Sequence, residues 1–239
     1  MYKRQPEYQA HVNDSTDYQV YNNSAQQDAS TEAVRETAGE VLKYKGNIVT
    51  TYYYSTSCGK TTTMKAWGTS ENESNGYLQS VEVKDKNGDY EKSLPWYRWE
   101  ADIDQDILST LLAENVKKNI GTVQSLEVTK TGPGGVALQI KAVGDKGSIT
   151  VDTENKIRKA LGGNGYEIKK QDGTVAQSGT LLPSAFFKVK KAGNIFKIIG
   201  GGYGHGIGMS QNGANEMAKK GKNYQEILQM FYPGTTIEK

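Results

Sequence analysis

Residues 104–151 read DQDILSTLLAENVKKNIGTVQSLEVTKTGPGGVALQIKAVGDKGSITV, and this stretch decides the fold. Its first part is helical. Ile107, Leu108, Leu111, Leu112 and Val116 recur at helical spacing and form one apolar stripe, and Asp104 is placed to cap the start. Gly121 is expected to end this helix in the left-handed conformation that a Cβ disfavours. The period then changes to that of strands, near 123–130 and 135–143, joined by Thr131-Gly-Pro-Gly-Gly135, which is turn chemistry. Residues 147–151 continue the β pattern. A helix running into antiparallel strands joined by tight turns, with no alternation of strand and helix, predicts an α+β fold.

Working outward gives more strands than helices. Residues 95–103 alternate Trp96, Arg98 and Glu100 against Tyr97, Trp99 and Ala101, as a half-buried strand does. Residues 46–55 carry Ile48, Val49, Thr50, Thr51, Tyr52, Tyr53 and Tyr54, all β-branched or aromatic, and read as a strand, as do residues 77–83. Residues 68–76 are a loop by composition. Thr31 can cap a short helix in 31–40. Downstream, 162–182 is Gly-rich and polar and reads as an insertion or hairpin, with further strands at 185–189 and 195–199. Asn223 with Glu226 makes a capping arrangement for a helix whose Tyr224, Ile227, Leu228 and Phe231 share one face, and Pro233-Gly234 stops it. The expected architecture is mainly antiparallel sheet with two or three helices.

Composition bounds the function. The 239 residues hold 29 Lys+Arg against 27 Asp+Glu, a net charge of +2, which excludes a strongly basic nucleic-acid-binding surface. No apolar run is long enough to span a membrane. One cysteine, Cys58, forbids an internal disulfide, and with only His11 and His205 any metal site would need carboxylates. Asp14, Asp17 and Glu71 could join His11, but they follow no ligand spacing, so neither a metal nor a cofactor is expected.

Two segments carry possible chemistry. Ser55-Thr-Ser-Cys-Gly-Lys-Thr61 follows an aromatic strand and can present backbone N–H groups and hydroxyls from an exposed turn. Gly200-Gly-Gly-Tyr-Gly-His-Gly-Ile-Gly-Met-Ser-Gln211 has six glycines in twelve residues, which allow close backbone approach. Its polar side chains are Tyr203, His205, Ser210 and Gln211, and a helix rich in Ala and Met is expected just after it. The run lacks the Lys-Ser/Thr ending of a phosphate-binding P-loop. A Cys58/His205 nucleophile dyad is a further reading, set against the plainer one of a small buried thiol and a satisfied structural histidine.

These residues carry a resemblance. Gly202-Tyr-Gly-His-Gly-Ile-Gly-Met-Ser-Gln-Asn-Gly-Ala-Asn215 is similar to the signature of the stage II sporulation protein D family, which includes amidase enhancers. So are Met217–Gly221, Tyr224–Leu228 and Phe231-Tyr-Pro-Gly-Thr235. Ser55-Thr-Ser-Cys-Gly59 with Trp67, Asp14–Tyr21, Tyr77–Val81, and Arg158–Gly162 with Ser184–Phe187 resemble its other blocks, in family order from about residue 11 to 235.

The resemblance implies a peptidoglycan enzyme, a lytic transglycosylase that cleaves glycan strands stripped of stem peptides during sporulation or wall remodelling. One carboxylic acid would protonate the glycosidic oxygen and then deprotonate the sugar 6-hydroxyl, closing a 1,6-anhydro ring. In the family that acid stands in an upstream helix of the type E-x-L-K-A-Q-A-x-A-x-R-T-Y, and no such segment occurs in this chain. Hence the expectation of a truncated reading frame without the N-terminal catalytic helix, with residues 1–5 an artefactual prefix, 6–239 the family domain and 162–182 an insertion. Family zinc positions correspond to Asn13, Asp17 and Tyr18, so no zinc site is expected.

Only supporting roles carry over. Tyr203, His205 and Gln211 would line the substrate groove, with His205 as a hydrogen-bond donor. Ser55, Ser57, Cys58 and Gly59 would form the opposing wall, with Gly204, Gly206, Gly208 and Ser210 also at the substrate. The expected partners are peptidoglycan glycan strands and a cell-wall amidase or other sporulation hydrolase, at an extracytoplasmic, wall-associated location. Three functions stay open: a lytic transglycosylase domain inactive for want of its acid, a non-catalytic amidase-enhancer or glycan-binding module, and a Cys/His hydrolase. Glu71, Glu73 and Glu100 show no context that would raise a pKa and so make poor substitutes for the acid.

Overall fold

The computed structural model describes residues 25–239. The expectations on residues 1–5, His11, Asn13, Asp14, Asp17, Tyr18 and the block 14–21 lie outside the described residues. The chain divides into two compact units. The first runs to Val41 and includes Lys239. Among its described residues it has the helix α1 (Asp28–Glu36), which buries none of its residues.

The second unit, Leu42–Glu238, holds the core. In chain order its elements are β1 (Val41–Tyr44, from Leu42 onward), β2 (Asn47–Ile48), β3 (Tyr53–Tyr54), a 3-10 turn at Met64–Trp67, β4 (Lys84–Asp85), β5 (Gly88–Asp89), a 3-10 turn at Pro95–Tyr97 and β6 (Trp99–Asp104). There follow α2 (Gln105–Val116), β7 (Val123–Thr131), β8 (Ala137–Gly144), β9 (Gly147–Asp152), α3 (Glu154–Leu161), β10 (Glu167–Lys170) and β11 (Val175–Gln177). The chain closes with β12 (Phe187–Ala192), β13 (Ile195–Gly200), β14 (Met209–Ser210), α4 (Gln211–Lys219), α5 (Tyr224–Phe231) and β15 (Thr236–Glu238).

The fold is α+β with mainly antiparallel pairing. A five-stranded sheet has the order β11-β10-β6-β13-β12 and a three-stranded sheet the order β7-β8-β9. Alternation drives β6: Trp99, Ala101 and Ile103 are buried, as the sequence pattern requires. Helix α2 packs Leu108, Leu111 and Leu112 inward, and Asp104 Oδ1 accepts from Asp106 N at 2.8 Å as its cap. The amphipathic α3 contributes Ile157, Ala160 and Leu161.

Five α-helices occur among the described residues, against two or three expected. The unread one is α3, whose Glu154 and Arg158, one turn apart, are both buried. Other expectations are corrected. Lys117, at φ 58°, closes α2, and Gly121 belongs to the following turn into β7, where a Cβ would meet the Asp145 side chain. Residues 46–55 form two short strands in different sheets, because β2 pairs with β1 while β3 pairs in parallel with β14. Residues 77–83 are no regular strand. Their backbone serves a neighbouring loop, with Thr61 N donating to Val81 O and Val83 N to Gly59 O, both at 2.9 Å. Residues 95–97 form a 3-10 turn before the strand begins. Residues 167–177 form a hairpin, one of the two readings given to 162–182, with β10 paired to β6 and β11 at the edge of the five-stranded sheet.

Among the described residues no helix is long and apolar enough to cross a membrane.

Candidate functional site

The Ser55–Gly59 loop and the glycine run do not face each other across a groove. They are knitted side by side. Thr56 N donates to Tyr203 O at 3.1 Å and Tyr203 N returns to Thr56 O at 2.8 Å. Met209 N donates to Tyr52 O, Asn212 N to Ser55 O, and Thr62 N to Gly206 O. Glycine is what allows this. At Gly202 (φ 81°) a Cβ would sit 2.9 Å from Thr56 O, and at Gly208 (φ 75°) 2.1 Å from Tyr52 O. Both positions need a left-handed backbone and a missing side chain.

Beneath the joined loops lies a buried acid that the sequence did not announce. Glu91 has no exposed surface. Its Oε1 accepts from Ser57 N at 2.9 Å and from Ser210 Oγ at 2.7 Å, and its Oε2 accepts from Ser57 Oγ. Burial pushes its pKa up, while the Ser57 and Ser210 hydrogen bonds pull it back. Ser210 also caps α4, accepting from Gly213 N at 3.2 Å. One carboxyl thus ties the Ser57 turn to the start of a helix. Ser57 and Ser210, read as substrate contacts, point their hydroxyls at Glu91. Glu91 falls in the charged run Lys84–Lys92, which hydropathy marks as a solvated hairpin, so no sequence signal separated it from Glu71, Glu73 or Glu100.

His205 is also committed. Its Nδ1 accepts from Ile207 N at 3.1 Å, so the other nitrogen carries the proton, and Nε2 donates to Tyr53 O at 2.9 Å. The ring packs between Tyr54 and Trp67, with centroids 5.5 and 5.1 Å away. Burial drops its pKa to about 4, so the imidazole is neutral near pH 7. Cys58 is half-buried, and burial pushes its thiol up, which makes it a poor nucleophile. With both imidazole nitrogens bound to backbone, no Cys58–His205 dyad is formed, and the Cys/His hydrolase reading falls.

Beside His205 a cleft of about 380 Å³ is lined by Trp67, Thr153, Glu154, Lys156 and Arg158, among others. Arg158 Nη1 donates to Glu154 Oε1 at 2.7 Å, and Trp67 Nε1 donates to Glu154 Oε2 at 3.2 Å. Glu154, like Glu91, has no exposed surface.

What the frame leaves open is Tyr203 and the first residue of α4, Gln211. Tyr203 is 42% exposed and lies against Trp96 with ring centroids 4.8 Å apart. Gly204 is half-buried, and Gly206 and Gly208 are buried. Ser55 is half-buried, and Gly59 is buried beside Asp89.

The fold is an α+β domain whose candidate functional surface rides on two interlocked Gly/Ser loops. A family model described as a domain of unknown function (DUF8618) matches residues 55–208, and the chain belongs to that family. It is 28% identical to the "Amidase enhancer" of Bacillus subtilis (strain 168) over 95% of the chain and 35% of that protein. It is 30% identical to "Stage II sporulation protein D" of the same organism over 87% of the chain and 50% of that protein. An uncharacterized protein of Brachyspira hyodysenteriae is 31% identical over 95% of the chain and 53% of its own length. The resemblance to the stage II sporulation protein D and amidase enhancer family therefore holds across most of the chain. The chain spans about a third to a half of the length of these curated relatives.

Proposed function

We propose that this domain is a cell-wall module that holds peptidoglycan glycan strands for a hydrolytic machinery, in the manner of an amidase enhancer, without performing bond cleavage through its described residues. One observation carries the reading. The interlocked loops expose an aromatic, Tyr203, while the carboxyl at their centre, Glu91, is wholly buried and held by three hydrogen bonds. An acid so placed cannot reach a glycosidic oxygen, whereas an exposed tyrosine supported by tryptophan suits the apolar face of a sugar ring. The names of the relatives support a role at the cell wall and in sporulation, and with it an extracytoplasmic location and a cell-wall amidase as partner.

A second reading is the lytic transglycosylase, favoured by the motif resemblance and by the sporulation protein D relatives. It needs an acid from outside residues 25–239. One experiment separates the two. Incubate the chain with glycan strands freed of stem peptides, then analyse supernatant and pellet. Co-sedimentation without new 1,6-anhydro ends in the mass spectrum supports the binding module. Anhydro ends that accumulate with time sink it in favour of the transglycosylase. Absence of both binding and products sinks both.

A further inference from the structure

The chain contains four Asn-Gly pairs, at 75–76, 87–88, 164–165 and 212–213. An asparagine followed by glycine is chemically able to modify itself. The backbone nitrogen of the glycine attacks the asparagine Cγ, and with no Cβ beside it that nitrogen is unshielded. The attack needs an unheld side-chain amide, an unheld glycine N–H and a backbone free to bring them together.

Three of the pairs are held. Asn75 is half-buried, its Oδ1 accepts from Asn72 N at 2.9 Å and its Nδ2 donates to Ser70 O at 3.0 Å. Asn212 lies in the first turn of α4, with Nδ2 donating to Thr56 Oγ1 at 2.9 Å. The Gly213 N–H that would attack it donates instead to Ser210 Oγ at 3.2 Å. Asn87 is exposed, but it stands in the tight turn between β4 and β5. Its N donates to Asp85 Oδ1 at 2.7 Å, its O accepts from Lys92 Nζ at 3.3 Å, and Gly88 is paired with Asp85 across the hairpin.

Asn164 differs on every count. It is exposed in the loop between α3 and β10, and among the described residues neither its side-chain amide nor Gly165 N has a hydrogen-bond partner. It stands between two glycines, Gly163 at φ 135° and Gly165 at φ 105°, the residue type with the widest backbone freedom. The loop is anchored just before it. Gly163 N donates to Gly179 O and Asn115 Nδ2 to Gly162 O, both at 2.7 Å, so the freedom is confined to the reacting pair.

We propose that Asn164 is a site of spontaneous deamidation, the one Asn-Gly pair of the four that the native fold leaves reactive. The Gly165 nitrogen bonds to Asn164 Cγ, the Cγ–Nδ2 bond breaks, and ammonia leaves with the proton that Gly165 N gives up. Water then opens the cyclic succinimide at either carbonyl. Opening at Cγ leaves aspartate. Opening at the main-chain carbonyl leaves isoaspartate, with the backbone rerouted through the side chain. Asparagine and water thus become an acidic residue and ammonia. The new carboxylate falls on a cleft of about 440 Å³ lined by Asp106 and Glu114 among others, with no cation in its lining among the described residues, so like charge is added to like.

The test incubates the whole chain at mildly alkaline pH, folded and in parallel in urea, and maps its peptides by mass spectrometry. Conversion reads as the mass gained when an amide becomes an acid, and electron-transfer fragmentation tells isoaspartate from aspartate. In the folded chain Asn164 is expected to outpace Asn75 and Asn212 about tenfold or more, the scale of the two hydrogen bonds that hold each of those pairs. Asn87 should fall between. In urea the four pairs should react at similar rates, because the fold no longer sorts them. Asn164→Gln should remove the acidic species from the folded chain and leave the thermal melt unchanged, as suits an exposed side chain. Asn164→Asp should reproduce the charge of that species on an ion-exchange column. Conversion in the folded chain spread evenly over the four pairs, or led by another pair, overturns the proposal. So does an acidic species that forms at full rate in Asn164→Gln, or an Asn164 that reacts in urea and stays intact in the folded chain.

Discussion

Glu91 and Glu154 are the same side chain, in one compact unit, both with no exposed surface, and they are treated in opposite ways. Glu154 sits in the first turn of α3, where a negative charge suits the helix end, and it meets a guanidinium one turn on and an indole N–H. Among the described residues Glu91 meets two serine hydroxyls and one amide and no cation. Burying an ionised carboxylate is costly unless a charge or several donors compensate it. Glu154 is compensated by a charge and belongs to the frame. Glu91 is compensated by dipoles alone, so burial moves its pKa upward and leaves the loop junction sensitive to pH. The contrast separates a structural ion pair from a polar cluster beside the candidate site.

The sharpest way to break this contrast is at Arg158. Arg158→Leu strands the buried Glu154 charge and should cost about 3–5 kcal/mol in urea unfolding, with most of it recovered on adding Glu154→Gln. A loss under about 1 kcal/mol would mean that Glu154 needs no cation. Glu91→Ala should cost about 2–3 kcal/mol by leaving Ser57 and Ser210 donors unpaired. Its pH behaviour is the finer test. A carboxyl whose folded pKa is raised gives stability that is complete below the ordinary glutamate value near 4.5 and is lost as pH climbs through the raised value. Glu91→Gln should flatten that decline in melts taken across pH 4.5–8. If the decline persists, it belongs to another group.

His205 supplies a slope of the opposite sign. Its folded pKa, about 4, lies below the ordinary 6.5, so its contribution is present above 6.5 and lost as pH falls toward 4. His205→Gln should remove about 3 kcal/mol of stability change between pH 7 and pH 4. The smallest effect concerns Tyr54, whose buried hydroxyl finds no hydrogen-bond partner among the described residues. Tyr54→Phe should leave the midpoint within about 0.5 kcal/mol or raise it slightly, since it removes an unpaired polar atom. A large loss would show that this hydroxyl belongs to the Glu91 cluster.

The sequence was most legible where one local rule acts alone. The period-2 burial of β6, the cap at Asp104 and the capping box of Asn223 with Glu226 all follow from neighbours within a few residues. The two loops were singled out by composition, six glycines in twelve residues in one and small hydroxyl residues in the other. Their mutual placement was not legible, because it depends on pairing between distant segments that no local pattern encodes. Glu91 was hidden for the same reason. Its partners Ser57 and Ser210 lie 34 and 119 positions away, and its own segment, Lys84–Lys92, is a run of charges. The α3 pair was within reach: a Glu and an Arg four apart on a strongly amphipathic segment could have been recognised as a helix carrying an ion pair.

The junction of β3 with β14 has a consequence for how the chain is made. Tyr53 and His205, bonded through Nε2, stand 152 positions apart. A polypeptide leaving the ribosome from its N-terminus has the Ser55 turn outside long before the glycine run exists. The turn must wait, unpaired, while the sheets between them assemble, and loop closure over such a separation is slow. The junction of the two loops is therefore completed only after the glycine run, 152 positions downstream of Tyr53 at His205, has been made.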